Sequence, residues 1–413
     1  RPPARGSAAL AALLALAAGL VGCDMEVTNP GPVHDEFLND KAAQPALVNG
    51  MGRAFAQGLN WIAYTGAAVA REIHPSGSTG SFGITNRWQL GELAPDDNDL
   101  NTHWEQAQRA RWLAEEGIRR IEKVGPASDT LLVRAYLWAG YANRLLGENM
   151  CEAVIDGGPP QPSRVFLERS EQWFTKALDK AGATGRSDLR YAALAGRASV
   201  RAFLGRWSEA VADARQVPDN FVLRVPYYDL GDDPQRNRIY WASAGTPYRA
   251  HTVWNTVYEA YYRQTQDPRV RYRVTNQTGD AAIDCCGRVP WYPQEKYTSS
   301  ASPITLSSGR EMRLIEAEKK LRDGDRAGAV ALLNLLRAGV GLPPESAPDL
   351  EAAWTLLRRE RAVELWLEGR QLGDVFRWER ERAPGRHIQD LSGRDRCFPI
   401  GITELNTNPN LRG

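Results

Sequence analysis

Metal and thiol chemistry have little to draw on in this chain. It holds five histidines and five cysteines in 413 residues. His34, His74, His103, His251 and His387 are scattered, with no pair at the i,i+4 spacing of a helical metal site. No GxSxG, HExxH or Walker A sequence is present, and no GxGxxG opens a helix after a strand. That excludes the enzyme classes those motifs mark. The stretch "GATGRS", Gly182 to Ser187, lacks a lysine and sits between helical patterns, so it is a poor phosphate loop. Excess charge is missing too. Fifty-one basic against fifty acidic residues leave a net charge of +1, and nothing that would attract nucleic acid in bulk.

Long apolar runs are also absent, with one exception too short to span. Arg1 and Arg5 precede an apolar run over 8–21, which suits the h-region of a signal peptide better than the roughly 20 residues of a transmembrane helix. "LVGC", Leu20 to Cys23, follows and is similar to a bacterial lipobox. The expected organisation is a signal peptide over 1–22, a lipidated Cys23 with a polar tether over 23–38, and one helical domain over 39–413. An uncleaved signal, or a buried helix beside a chance cysteine, is the plainer alternative. A lipid would hold the protein on the membrane without spanning it. Export permits disulfides among Cys151, Cys285, Cys286 and Cys397. Cys285 and Cys286 either bond each other or reach Cys151 and Cys397 separately. The second is favoured, because a vicinal disulfide strains its peptide bond.

Two long helical patterns cover roughly 39–72 and 98–123. The segment between them carries Gly, Ser and Pro without a helical period. It is a long loop of the kind that usually has a function. Helix–turn–helix units follow at 128–148 with 166–182, at 188–217 with a break at Gly205-Arg206-Trp207, and at 310–339 with a break at Asp323-Gly324-Asp325. Ser308 and Glu311 form a capping box ahead of the last unit. The crossings, and the turn at Leu204–Ala210, resemble tetratricopeptide repeats at irregular intervals. Residues 221–297 differ: they hold 14 of the chain's 36 aromatics, with Pro, Gly and Asn and one possible helix near 250–263. The predicted fold class is therefore all-α, with interrupted tetratricopeptide-like repeats and a large loop-rich, aromatic-rich insertion over about 218–307.

Two acidic clusters invite chemistry. In "DDNDLN", Asp97, Asp99 and Asn101 fall at ligand positions of a Ca²⁺ loop. Thr102 and Gln108 stand where that loop needs Gly and Glu, so helix capping is the stronger reading. In "RRERAVELWLEGRQLGDVFRWERE", 358–381, Glu360, Glu364 and Glu368 would form one row on a continuous helix. Interleaved arginines favour ionised, paired carboxylates. The expected role is structural charge pairing, with Trp366 and Phe376 packed inward.

That stretch also carries a resemblance. Glu360, Arg361, Glu364, Leu365, Glu368, Gly369, Arg370, Asp374, Arg377 and Trp378, together with Pro399, Ile400, Glu404, Asn408 and Pro409 near the C-terminus, resemble the two C-terminal motifs of the SusD/RagB family. Gly401 departs where that family often has proline. Arg313, Leu314, Glu316, Ala317, Gly324, Asn334 and Arg337 are similar to a further family segment. The resemblance implies a non-enzymatic, surface-exposed outer-membrane lipoprotein. It would bind an oligosaccharide or peptide and pass it to a SusC-like TonB-dependent barrel, with no nucleic acid or cofactor involved. An envelope scaffold built on tetratricopeptide-like repeats is the alternative. Side-chain chemistry picks Asn86, Arg87 and Trp88 in the 73–98 loop, and Tyr240, Trp241, Trp291 and Tyr292 in the insertion, as ligand contacts. The aromatics would stack and the polar groups would hydrogen-bond. For each, a role in a satellite core is the competing expectation.

Overall fold

A computed structural model describes residues 35–411, apart from 83, 231–234 and 283–284. The predicted signal peptide, Cys23 and most of the predicted tether lie outside the described residues. The tether's last residues begin a 3₁₀ turn, Asp35–Asn39, which Arg120 holds through Asp35 at 2.8 Å.

Fourteen α-helices run through the described residues: α1 (Gln44–Val69), α2 (Asn86–Leu90), α3 (Asn101–Val124), α4 (Asp129–Asn149), α5 (Arg164–Ala181), α6 (Ser187–Phe203), α7 (Trp207–Ala214), α8 (Arg238–Ser243), α9 (Val257–Thr265), α10 (Gly309–Arg322), α11 (Arg326–Ala338), α12 (Leu350–Glu364), α13 (Gln371–Arg380) and α14 (Ile402–Thr407). Six short strands complete the regular structure: β1 (His74–Pro75), β2 (Glu152–Ala153), β3 (Gln161–Pro162), β4 (Val222–Val225), β5 (His251–Thr252) and β6 (Ile304–Ser308). The long helices pack in chain order, α1 on α3, α3 on α4, and so through α5 and α6 to α7. There α10 takes over and leads to α11 and α12.

Spacing explains the packing. On α3, Ala107, Ala110, Ala114, Ile118 and Ile121 are buried at intervals of three and four, which puts them on one stripe. The breaks at Gly205 and Gly324 fall where both glycines adopt left-handed backbone, at φ 78° and 80°. Ser308 accepts a hydrogen bond from the Glu311 amide at 3.1 Å, but the Glu311 carboxylate does not close the box. It turns into the core to meet Ser199 and Arg370. Phe174 of α5 is wedged between α4 and α6. A Cβ on Gly140 or Gly196 would lie 2.7 or 2.3 Å from its ring. Full burial of such a side chain contributes about 1.5–3 kcal/mol.

The insertion leaves and rejoins the helices through one antiparallel pair. β4 and β6 run from Val222↔Ser308 to Val225↔Ile304. Many of its aromatics form a satellite of the main core: Tyr227, Tyr258, Tyr261, Tyr272 and Tyr297 are all buried.

The helix expected across 358–381 is broken, so the three glutamates do not form a row. α12 stops at Glu364, Leu367 and Gly369 take positive φ (59° and 71°), and α13 starts at Gln371. The break drops Trp366 into the core, stacked on Tyr258 at 5.4 Å. Phe376 is only half-buried. Each glutamate also finds partners on other elements. Glu360 meets Arg269 and Arg337 (2.7 and 2.6 Å), Glu364 meets Arg310 and Arg269 (2.6 and 3.1 Å), and Glu368 meets Lys296 (2.7 Å).

The favoured cysteine pairing is also overturned. Cys151 is bonded to Cys397, with Cα atoms 5.0 Å apart, so neither pairs with Cys285 or Cys286. The bond fastens the C-terminal segment beside α4, where Phe398 N donates to Asn149 O at 2.8 Å. Gly401 sits against α3. A side chain there would come within 2.6 Å of Asn101 Oδ1.

Candidate functional site

Two segments far apart in sequence meet in one surface. β1 of the 73–98 loop pairs with β5 of the insertion, His74↔Thr252 and Pro75↔His251. Asp280 strengthens the seam by accepting from Ser78 N (2.7 Å) and Ser78 Oγ (2.5 Å). Beneath it His251 lies between Tyr64 (2.9 Å) and Gln89 (3.2 Å). Burial lowers the His251 imidazole to about 3. His74 is lowered to about 4 by burial, with Arg71 and Arg394 adding to it. Both histidines are therefore neutral fasteners at ordinary pH.

Beside this seam a cavity of about 580 Å³ opens between the end of α1 and the start of α9. Arg71, Asn255, Thr256, Val257, Glu259, Ala260, Arg263, Gln264 and Gln389 line it. Local chain chemistry shapes it. Thr256 caps α9 by accepting from Glu259 N (3.3 Å), and Glu259 reaches back to Asn255 N (2.6 Å). Asn255 and Arg71 both adopt positive φ, 59° and 54°, and Arg71 donates to Asn255 O (3.4 Å). Such backbone is uncommon outside glycine and persists where surroundings over-determine it. Glu259 also fixes Arg263 at 2.6 Å. Arg263 in turn donates to Tyr272 Oη at 3.2 Å, and Tyr272 is flanked by Tyr292 (5.8 Å, stacked) and Tyr262 (5.1 Å, edge-on). The result is a pocket rich in amide and guanidinium groups; beyond Arg263 lies a shelf of tyrosines, none of which lines the pocket and of which Tyr272 is buried. Hydroxyl-bearing ligands suit such a surface, because their polar edges find donors and acceptors.

The residues singled out from sequence divide sharply. Tyr292 belongs to the tyrosine shelf. Trp241 and Tyr240 are half-buried; Trp241 packs edge-on against Phe82 (5.4 Å) and Tyr248 (5.8 Å), under Arg236. Trp88 is fully buried, its Nε1 donating to Asp97 Oδ2 (2.8 Å), and Trp291 is buried as well. Neither indole can present its face to a ligand, so both are corrected to core roles. Arg87 is exposed and pairs with Glu92 and Asp96, while Asn86 is half-buried beside it. The Ca²⁺ reading of the acidic loop is not supported. Asp97 spends its second oxygen on Asp99 N (3.0 Å), capping a 3₁₀ turn, and Asn101 bonds Glu105 and Thr403. No group of three His, Cys, Asp or Glu able to hold a metal occurs among the described residues. Arg71, Asn255, Arg263, Gln264 and Gln389 were missed from sequence. They come from three distant segments and belong to no local motif.

The fold is thus a stack of helix pairs with a polar pocket where an inserted loop region meets it. Residues 238–410 match the SusD family. The fold is shared with several crystal structures. A SusD superfamily protein from Bacteroides vulgatus aligns at TM-score 0.65 with 13% identity, covering 91% of this chain and 98% of that one. A SusD-like carbohydrate binding protein from Bacteroides fragilis aligns at 0.62 with 14% identity, covering 92% and 100%. A structure with xylogluco-oligosaccharide aligns at 0.62 with 13% identity, covering 90% and 98%. None of the curated proteins matches this chain in sequence. The match to the SusD family thus covers the C-terminal part of the chain, and the solved structures share its fold over most of its length.

Proposed function

We propose that this protein is a surface-exposed outer-membrane lipoprotein that binds an oligosaccharide and delivers it to a SusC-like TonB-dependent transporter. The observation that carries the binding role is the pocket between α1 and α9. Its hydrogen-bonding side chains match the polar edges of sugar rings. A relative of the same fold has a structure with xylogluco-oligosaccharide, which makes that compound the first ligand to try. The lipid anchor and cell-surface location rest on "LVGC" and Cys23, and the barrel partner on the match of residues 238–410 to the SusD family.

Calorimetric titration with xylogluco-oligosaccharide and a wider glycan and peptide panel tests the reading. Binding by the intact chain is expected, with Asn255→Ala and Arg263→Ala each weakening it about tenfold, a loss of about 1.4 kcal/mol in binding. Silence across both panels would overturn it and leave the envelope scaffold. Cys23→Ser should free the protein from the membrane, and solubilised membranes should yield it together with a barrel.

A further inference from the structure

A second hollow, sharing no lining residue with the first, lies between α1, α4 and the start of the insertion. It encloses about 380 Å³ and is lined by Asn49, Gly52, Arg53, Ala56, Arg134, Trp138, Pro226, Tyr227, Tyr228 and Gln235.

Its walls are built by specific contacts. Gly52 lets the Trp138 indole lie down on α1, since a Cβ there would sit 2.9 Å from indole Cε2 and Cζ2. Phe55 holds the indole from within, at 5.6 Å. The facing wall is anchored by Tyr227, which is buried and donates to Ala56 O at 2.9 Å. Tyr228 N donates to Gln235 O at 2.7 Å, and the Tyr228 side chain stands 51% exposed at the hollow. Three aromatic side chains, Trp138, Tyr227 and Tyr228, thus border a space of ligand size.

The electrostatics narrow the ligand. No carboxylate is among the described residues that line the hollow. Arg134 donates to Asn49 Oδ1 at 3.0 Å and makes no ion pair among the described residues. That contrasts with Arg111, Arg144, Arg197, Arg269, Arg337 and Arg377, all of which are paired with acids. A guanidinium with donors to spare beside aromatic faces selects an anionic ring.

We infer that this hollow is a second binding site, one that takes a sugar ring bearing a carboxylate, the chemistry of a hexuronic acid unit. Trp138 and Tyr228 contact the ring faces and Arg134 binds the carboxylate. The inference does not depend on the pocket at Arg263.

Calorimetry and tryptophan fluorescence on the intact chain, with oligogalacturonate as the probe and neutral xylogluco-oligosaccharide as comparison, test it. Oligogalacturonate should bind, more weakly as salt rises. Arg134→Gln should weaken it at least tenfold with an unchanged melting temperature, Arg134→Lys should recover part of the loss, and Trp138→Phe should weaken it less. Arg263→Ala should leave it unchanged. No binding to the folded wild type, or equal affinity in Arg134→Gln, would overturn the inference. Loss in Arg263→Ala in place of Arg134→Gln would also overturn it, by placing the acidic sugar in the other pocket.

Discussion

Arginine does opposite work in two regions of this molecule. Around α12 and α13 it is sealed inside. Arg337 and Glu360 are 2% and 0% exposed, and Arg377 grips Glu318 with bonds of 2.6 and 2.9 Å while Trp378 Nε1 adds a third at 3.0 Å. Burial alone would raise the Glu318 carboxyl, but Arg377 and Arg322 overcome it and hold it down at about 2. At the pocket beside α9, Arg263 is 59% exposed and shares one carboxylate with solvent. The sealed arginines are paired with acids inside the fold and out of reach of a ligand. The open one keeps donors free. Family-like arginines and glutamates in the C-terminal motif therefore mark how the chain is held together, and binding has to be sought where arginine remains wet.

This contrast can be broken most forcefully from the sealed side. Glu360→Ala removes the buried carboxylate that Arg269 and Arg337 share, leaving Arg269 with Asp267 and Glu364 and Arg337 with Glu345, and should cost about 3 kcal/mol in chemical denaturation, the low end for a broken buried pair. Next comes the Cys151–Cys397 bond, which closes a loop with a sequence separation of 246. Cys151→Ser with Cys397→Ser should lose about 2–5 kcal/mol, and reducing agent should lower the wild-type midpoint but not the variant's. Gly196→Ala drives a methyl into the Phe174 ring and should cost about 1–3 kcal/mol. None of these should alter sugar affinity in protein that remains folded.

A subtler test uses pH. Glu72 lies inside the break after α12, where its carboxylate accepts from Leu367 N at 3.3 Å. Burial raises it from 4.5 to about 8, against the opposing pull of Leu367 and Lys296. Burial likewise raises Glu148 and Glu368 to about 7. A carboxyl raised in the folded state binds its proton more tightly there than in the unfolded chain. These groups therefore favour folding at low pH, and that contribution is lost as pH climbs from about 4.5 through 8. Glu318, lowered to about 2, works the other way and loses its contribution as pH falls from 4.5 toward 2. Across pH 7 to 9, above the range in which the buried, neutral histidines exchange protons on unfolding, denaturation midpoints should fall for the wild type and fall less for Glu72→Gln. A variant profile parallel to the wild type's would contradict this assignment.

Much of the scaffold was legible beforehand because its signals are local. Apolar residues three and four apart marked the helices. Gly205 and Gly324 marked turns that only glycine makes cheaply, and Ser308 marked a cap. The break between α12 and α13 was harder. Gly369 hinted at it, but a leucine at positive φ leaves no trace in sequence. It is held there by Tyr297 Oη on Leu367 O (2.9 Å) and by Lys296 Nζ on Trp366 O (2.5 Å), both from the insertion. The pocket was not legible for a related reason. Arg71, Asn255 and Gln389 converge only after the repeats, the insertion and the C-terminal segment have packed. Composition drew attention to the insertion's aromatics, yet it could not separate Tyr292 at the shelf from Trp291, its buried neighbour.

The most direct test compares affinity for xylogluco-oligosaccharide in two variants of opposite kind, with melting temperature read on the same samples. Arg263→Ala should keep the wild-type melting temperature and lose about tenfold in affinity. Glu364→Ala should melt well below wild type yet bind normally at a temperature where it is folded. The reverse pattern, normal stability with lost binding in Glu364→Ala and full affinity in Arg263→Ala, would place the ligand at the C-terminal motif and contradict the account.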